Sequence, residues 1–366
     1  MNNIGNNISL SRTTLQHDRK KRDSNFELLR IIAMLLVLMV HAGFKALNAP
    51  SAEEVFDSPA SSFLRFLNES ISIICVNVFI LITGWFEIRP RVSRICALIF
   101  QVMFIGIFIY ICLIILRKVD AWQLSDWIRL LLFRRGLWFV SAYLVLYIFS
   151  PVLNTFASNA SKDTFKKVLL SFFIIQTVCG FSSKWTFFCS GYSPLSFAGL
   201  YLLARYIKLF RSEFFNFNKW CDIAIYLCLT LFTTFASMIM VGYARSDGWL
   251  LYQYLSPAVI VSSVYFFLFF TKITFCSSFI NWIASSAFTI YLFHCDPLVF
   301  ERYYLAPIRK FYTNDSLPVF LIHTAILIII FFSLSILIDK IRESVWHKLL
   351  NTYIQIAKKS KKSIQN

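Results

Sequence analysis

The chain has 366 residues, of which 58% are hydrophobic, 18% aromatic and only 15% charged. A soluble domain carries about 25% charged residues. With a mean hydropathy of +0.64, the composition excludes a disordered chain, a secreted disulfide scaffold and an ordinary cytosolic enzyme, and points to an all-α, polytopic integral membrane protein. The net charge of +17 does not indicate nucleic acid, because Lys and Arg lie between apolar runs and at the two ends, as one face of a bilayer requires.

In chain order, residues 1–25 form a polar, basic tail with Arg12, Arg19, Lys20, Lys21 and Arg22. No small-residue cleavage site follows the first apolar run, which is read as a retained anchor. About ten transmembrane helices follow, expected at 26–46, 64–86, 93–116, 137–157, 168–184, 194–210, 221–243, 249–270, 279–300 and 317–338. Segment 119–135, with Trp122, Trp127, Arg129, Arg134 and Arg135, reads as an interfacial or re-entrant piece. Lys and Arg are biased about two to one towards the side of the termini, so both termini are expected in the cytoplasm. One transmembrane domain, 26–340, thus lies between a tail at 1–25 and a basic tail at 341–366, where Lys358, Lys359, Lys361 and Lys362 would be drawn to anionic membrane lipid or serve only as a solvated, positive-inside anchor. The 9 Cys contain no C-x-x-C pair and read as small apolar packers.

The first span carries the chemistry. Glu27 and Arg30 are three residues apart and can pair on one helix face. Arg30 and His41 are separated by eleven residues, about three full turns and about 16 Å of helix axis, so they share a face. Ionisable groups at membrane depth are costly and usually face a cavity. A cation near the entry and an imidazole deeper in would line one channel, and imidazole suits proton abstraction from a hydroxyl near neutral pH. Spacing alone equally allows an interhelical hydrogen bond for His41 and simple anchoring for Arg30.

The stretch "NFELLRIIAMLLVLMVHA" resembles the first-helix signature of the acyltransferase-3 family of membrane acyltransferases: an acidic residue, an Arg, then a His eleven positions on. "VNVFILITGWF" (76–86) is similar to the family's Ser-Gly-Tyr-Phe helix, with Thr83 and Trp85 in place of Ser and Tyr. "RPRVSRI" (89–95) and "LWFVSAYLVLYIFSPVLN" (137–154) resemble its third-helix opening and its Leu-Trp-Phe helix. "GYSPLSFAGLYLLARYI", "YLSPAVIVSSVYFFLFF" and "SSAFTIYLFHCDPLVF" look like later segments of the branch acting on cell-surface polysaccharides. The resemblance implies transfer of an acetyl group from cytoplasmic acetyl-CoA to a hydroxyl of a surface polysaccharide or lipid-linked glycan, in the inner (cytoplasmic) membrane. It makes His41 the catalytic His and Arg30 its essential partner beside Glu27, and matches Arg91 and Arg94 to basic positions near the cytoplasmic mouth. On chemistry, His41 would serve as general base, and Arg89, Arg91 and Arg94 would either take the donor's phosphates or simply anchor the positive side.

His294, before Cys295-Asp296-Pro297, would line the acceptor side or cap a helix end. Tyr192 and Trp138 would stack on a sugar or belong to the aromatic belt that also explains Trp185 and Trp249. His323 has no motif around it and reads as structural. No residues have metal-ligand spacing along the chain, so no metal is expected, and there is no Gly-x-Ser-x-Gly elbow or Walker loop. Two other classes fit a bundle of this kind: a secondary transporter or flippase, which should show pseudo-symmetric halves, and a scaffold, which leaves Arg30 and His41 unexplained.

Overall fold

The computed structural model describes residues 23–119, 125, 128, 137–182, 187–210 and 215–365, with side chains except at 182 and 353–365. The N-terminal basic tail, most of segment 119–135 and Trp185 lie outside the described residues. Among those described, every regular element is helical.

Each expected span coincides with a helix, although the spans are not equally long. Seven helices are long and apolar enough to cross a membrane, and an eighth qualifies if one bent pair is counted as a single span. α1 (Asn25–Val40) continues through a π-helical turn, His41–Lys45. After the short α2 (Ala52–Asp57), α3 (Pro59–Ser72) and α4 (Cys75–Phe86) make one span. α5 (Val92–Ile115) and α6 (Trp138–Asn159) follow. Then come α7 (Lys162–Ile175), with a π-helical extension Gln176–Ser182, α8 (Pro194–Phe210) and α9 (Lys219–Gly242). The expected span 249–270 is shortened to α10 (Pro257–Thr271), because residues 253–256 break the chain before Pro257, which has no N–H to donate to a preceding turn.

The expected span 279–300 is α11 (Ser278–Ala284) and α12 (Ala287–His294), and it stops short at His294. α13 (Pro297–Val299), a π turn (Phe300–Leu305) and α14 (Ala306–Asn314) leave it at a 60° bend. Asp296 caps the new direction by accepting the Leu298 N–H at 3.1 Å. α15 (Leu317–Gln365) runs on as helix through the basic stretch at 341–365.

α1 lies at the centre of the bundle and packs on α3, α4, α10, α11, α12 and α15. It is apolar around most of its circumference, with Leu29, Ala33, Met34, Val37 and Leu38 buried, as expected of a helix enclosed by others. Its start is pinned by polar contacts. Ser24 donates its N–H to the Phe275 carbonyl at 2.8 Å, and the Asn25 amide donates to the Phe270 carbonyl at 3.0 Å. Within a bilayer, helix association relies on close packing and interhelical hydrogen bonds. α4 meets α8 at Gly84, where an added Cβ would lie 2.5 Å from the Tyr201 carbonyl oxygen.

Candidate active site

Two interrupted helices face each other. In α1 the break is the π turn at His41, followed by a non-helical Gly43. Gly43 leaves room for two polar side chains: a Cβ there would stand 2.6 Å from Asn68 Nδ2 and from Glu69 Oε2 and would push them from their places. Neighbouring side chains satisfy the backbone around this break. Tyr304 Oη donates to the Leu38 carbonyl at 2.7 Å, Asn68 Nδ2 donates to the Met39 carbonyl at 3.1 Å, and the Phe44 N–H donates to Glu69 Oε2 at 3.2 Å. The second break is the elbow after α12, which leaves His294 and Cys295 at the helix end.

The breaks bring His41 Nδ1 to 2.9 Å from His294 Nε2. His294 is fully buried. Its Nδ1 lies 2.5 Å from the Ile290 carbonyl oxygen. A carbonyl can only accept, so Nδ1 of His294 carries the proton and Nε2 of the neutral ring carries the lone pair. His41 Nδ1 must then donate to His294, which leaves His41 Nε2 as its basic nitrogen. The chain carbonyl–His294–His41 fixes both tautomers in the way a carboxylate orients a catalytic imidazole. Phe300 packs edge-on against the His41 ring, with centroids 5.1 Å apart, and Tyr304 against the His294 ring at 5.5 Å.

His41 and Cys295 open on a cavity of about 470 Å³ that is also lined by Lys45, Glu69, Trp138, Tyr192, Trp249, Tyr254 and Tyr291. Trp138, Tyr192 and Tyr254 form an aromatic cluster, with Trp138 and Tyr192 centroids 4.5 Å apart. The shortened α10 leaves Tyr254 and Trp249 in connecting segments, free to line the cavity. Glu69 is 1% exposed, and its Oε1 has no hydrogen-bond partner.

A second cavity, about 460 Å³, lies at the other end of α1 and is lined by Arg30, Arg94, Thr83, Glu87, Tyr143 and Tyr147, among others. Arg30 Nη1 pairs with Glu27 Oε1 at 2.6 Å, and the guanidinium lies 5.8 Å from the Phe86 ring centroid. Arg30 and His41 thus line two cavities at opposite ends of α1. The walls of the two cavities meet where Phe139, which lines the Arg30 cavity, packs at 5.7 Å on Tyr291, which lines the His41 cavity.

Of the residues singled out from the sequence, the structure gathers His41, Tyr192 and Trp138 at one cavity, with His294 buried behind His41 and not lining it, and Glu27, Arg30 and Arg94 at or beside the other. Arg89 and Arg91 are exposed and line neither; the Arg91 backbone N–H donates to Tyr147 Oη at 2.8 Å. His323 pairs with Asp315 at 2.7 Å, away from both cavities. Sequence reasoning passed over Glu69, Tyr254 and the role of Cys295. Glu69 carried a usable signal: it is an acidic residue inside an apolar span, the same anomaly that singles out Arg30 and His41. Tyr254 and Cys295 carried none, because only the two helix breaks bring them to the site.

A family model described as an acyltransferase domain, that of the acyltransferase-3 family, matches residues 23–340. No curated protein and no solved structure matches the chain.

Proposed function

Because the chain belongs to the acyltransferase-3 family and is a multi-pass membrane acyltransferase, we propose that it moves an acetyl group from acetyl-CoA on the cytoplasmic side of the inner membrane to a hydroxyl of a cell-surface glycan or its lipid-linked precursor. The observation that carries the reading is the His41–His294 pair, with a free imidazole lone pair, at a cavity walled by aromatic rings and Glu69.

In this reading the donor's phosphates meet Arg30 and Arg94 at the other cavity, where guanidinium forks suit phosphate oxygens. Glu27 holds Arg30 in place. Arg89 and Arg91 contribute long-range attraction at the same mouth. The sugar stacks on Trp138, Tyr192 and Tyr254 and gives a hydroxyl hydrogen bond to Glu69 Oε1, which otherwise stays unpaired at a cost. His41 Nε2 takes the proton of the acceptor hydroxyl as its oxygen forms a bond to the thioester carbonyl carbon. The carbon–sulfur bond then breaks, the coenzyme leaves as the thiolate, and the proton held by His41 returns to it. His294 spreads and orients the charge that His41 gains.

The test uses purified protein in lipid nanodiscs with radiolabelled acetyl-CoA and extracted cell-envelope glycan, together with mass spectrometry of glycans from cells with and without the gene. Acetyl-sized mass differences that disappear in His41→Ala, with the variant still monodisperse, are the expected result. Full glycan acetylation by His41→Ala overturns the reading, as does glycan uptake into vesicles without acetyl-CoA.

A further inference from the structure

Three side chains at the junction of the two helix breaks have a property that acyl transfer does not call for. His41 Nδ1, His294 Nε2 and Cys295 Sγ lie within 4.8 Å of one another. The separations are 2.9 Å between the two nitrogens, 3.2 Å from Cys295 Sγ to His294 Nε2 and 3.8 Å from Cys295 Sγ to His41 Nδ1. Zinc bonds of about 2.0–2.1 Å to nitrogen and about 2.3 Å to sulfur, set at tetrahedral angles, place such donors about 3.3–3.6 Å apart. The observed triangle is within a few tenths of an ångström of that figure. We infer that His41, His294 and Cys295 form a binding site for a soft divalent cation of the zinc class, with the fourth position open to the cavity, and that the cation inhibits the enzyme.

Several further features fit a metal site. His294 already donates its other ring nitrogen to a backbone carbonyl, the outer-shell bond that fixes the tautomer of a metal-ligating imidazole. Two imidazoles and a thiolate select borderline-soft ions over magnesium or calcium. Two of the ligands line a cavity of about 470 Å³, which gives the ion an entry path. Glu69, in the same cavity with an unpartnered carboxyl oxygen, offsets the charge of a dication; Lys45, an exposed residue that also lines the cavity, opposes it. The ligands come from spans one and nine, so no spacing along the chain announces them.

Binding rearranges protons in a defined way. Cys295 loses its thiol proton to solvent and ligates as thiolate. The proton on His41 Nδ1 is displaced by the metal and moves to Nε2, so the nitrogen that should accept the sugar's proton becomes an N–H. Inhibition by this route rests on the proposed role of His41; metal binding itself does not.

Cobalt(II) added to the purified, metal-free protein in nanodiscs, without donor or acceptor, reads the site directly. One equivalent per chain should give tetrahedral visible bands and a thiolate-to-cobalt charge-transfer band, displaced by zinc. Cys295→Ser and Cys295→Ala should both lose the charge-transfer band, His294→Gln should weaken binding at least tenfold, and His323→Gln should match wild type. Size-exclusion profiles establish that the variants are folded. A wild-type protein that gives no such band, or a band unchanged in both Cys295 variants, overturns the metal site. Zinc that fails to suppress acetyl transfer at concentrations that saturate the cobalt-defined site overturns the inhibition alone.

Discussion

Two buried carboxylates show how differently one bundle treats the same group. Asp339 on α15 is 0% exposed and accepts Arg342 Nε at 2.7 Å, Arg342 Nη2 at 3.1 Å and the Thr289 hydroxyl at 2.5 Å, with the Gln101 amide at 3.3 Å. Both of its oxygens are satisfied, and the cluster ties α15 to α12 and α5. Glu69 is as deeply buried, yet it has one backbone donor and an unpartnered oxygen beside a cavity. A saturated ionic network holds helices together; an unsaturated one at a cavity wall awaits a ligand. Burial of a charge in a membrane therefore does not by itself indicate function, whereas the balance of donors and acceptors around it does.

The contrast can be broken most severely at His41. Replacing it by Ala should lower glycan acetylation by about 10²–10⁴-fold, measured by acetyl transfer in nanodiscs, with the melting temperature little changed because the ring borders a cavity. At the saturated site the effect should reverse. Asp339→Ala strands the Arg342 guanidinium and should cost about 3–5 kcal/mol of stability; reduced abundance and an earlier thermal transition report it, while the folded fraction keeps its transfer rate per molecule. Glu69→Gln sharpens the comparison from the other side. Stability should change little, because Gln keeps an oxygen to accept the Phe44 N–H, whereas KM for the glycan should rise about tenfold, equivalent to about 1.4 kcal/mol. A Glu69→Gln variant that melts early and binds glycan normally would erase the distinction. The smallest effect is expected at exposed Arg94, where Gln should raise KM for acetyl-CoA about threefold, as for one solvated phosphate contact, without altering the KM for glycan.

Much of this architecture can be read from the sequence because hydrocarbon imposes it. Twenty apolar residues in a row have few other fates, and the ten expected segments each coincide with a helix. Local punctuation is where that reading fails. A span was expected to run from 249 to 270, but Pro257 starts its helix late; another was expected to reach 300, but Pro297 turns the chain after His294. Hydropathy averages over such breaks, although the prolines themselves are visible. The candidate site follows the same pattern. Arg30 and His41 stand out as ionisable residues in an apolar run, and their common face follows from helical periodicity. Their placement at two cavities does not, because the cavity walls come from distant helices, as where Phe139 of α6 meets Tyr291 of α12. The contact of His41 with His294 joins residues 253 positions apart, a distance at which no sequence periodicity operates.

The paired interruptions in α1 and after α12 also constrain what can occupy the space between them. Regular helices seal their own amides, and non-helical backbone at this depth persists only where protein or water reaches it. At the His41 turn that protein is Tyr304, Asn68 and Glu69, so Glu69 both props the broken backbone and lines the space for a substrate. An occupant that draws the Glu69 carboxyl towards itself would tug on the Phe44 N–H beside His41, which couples filling of the cavity to the shape of the break.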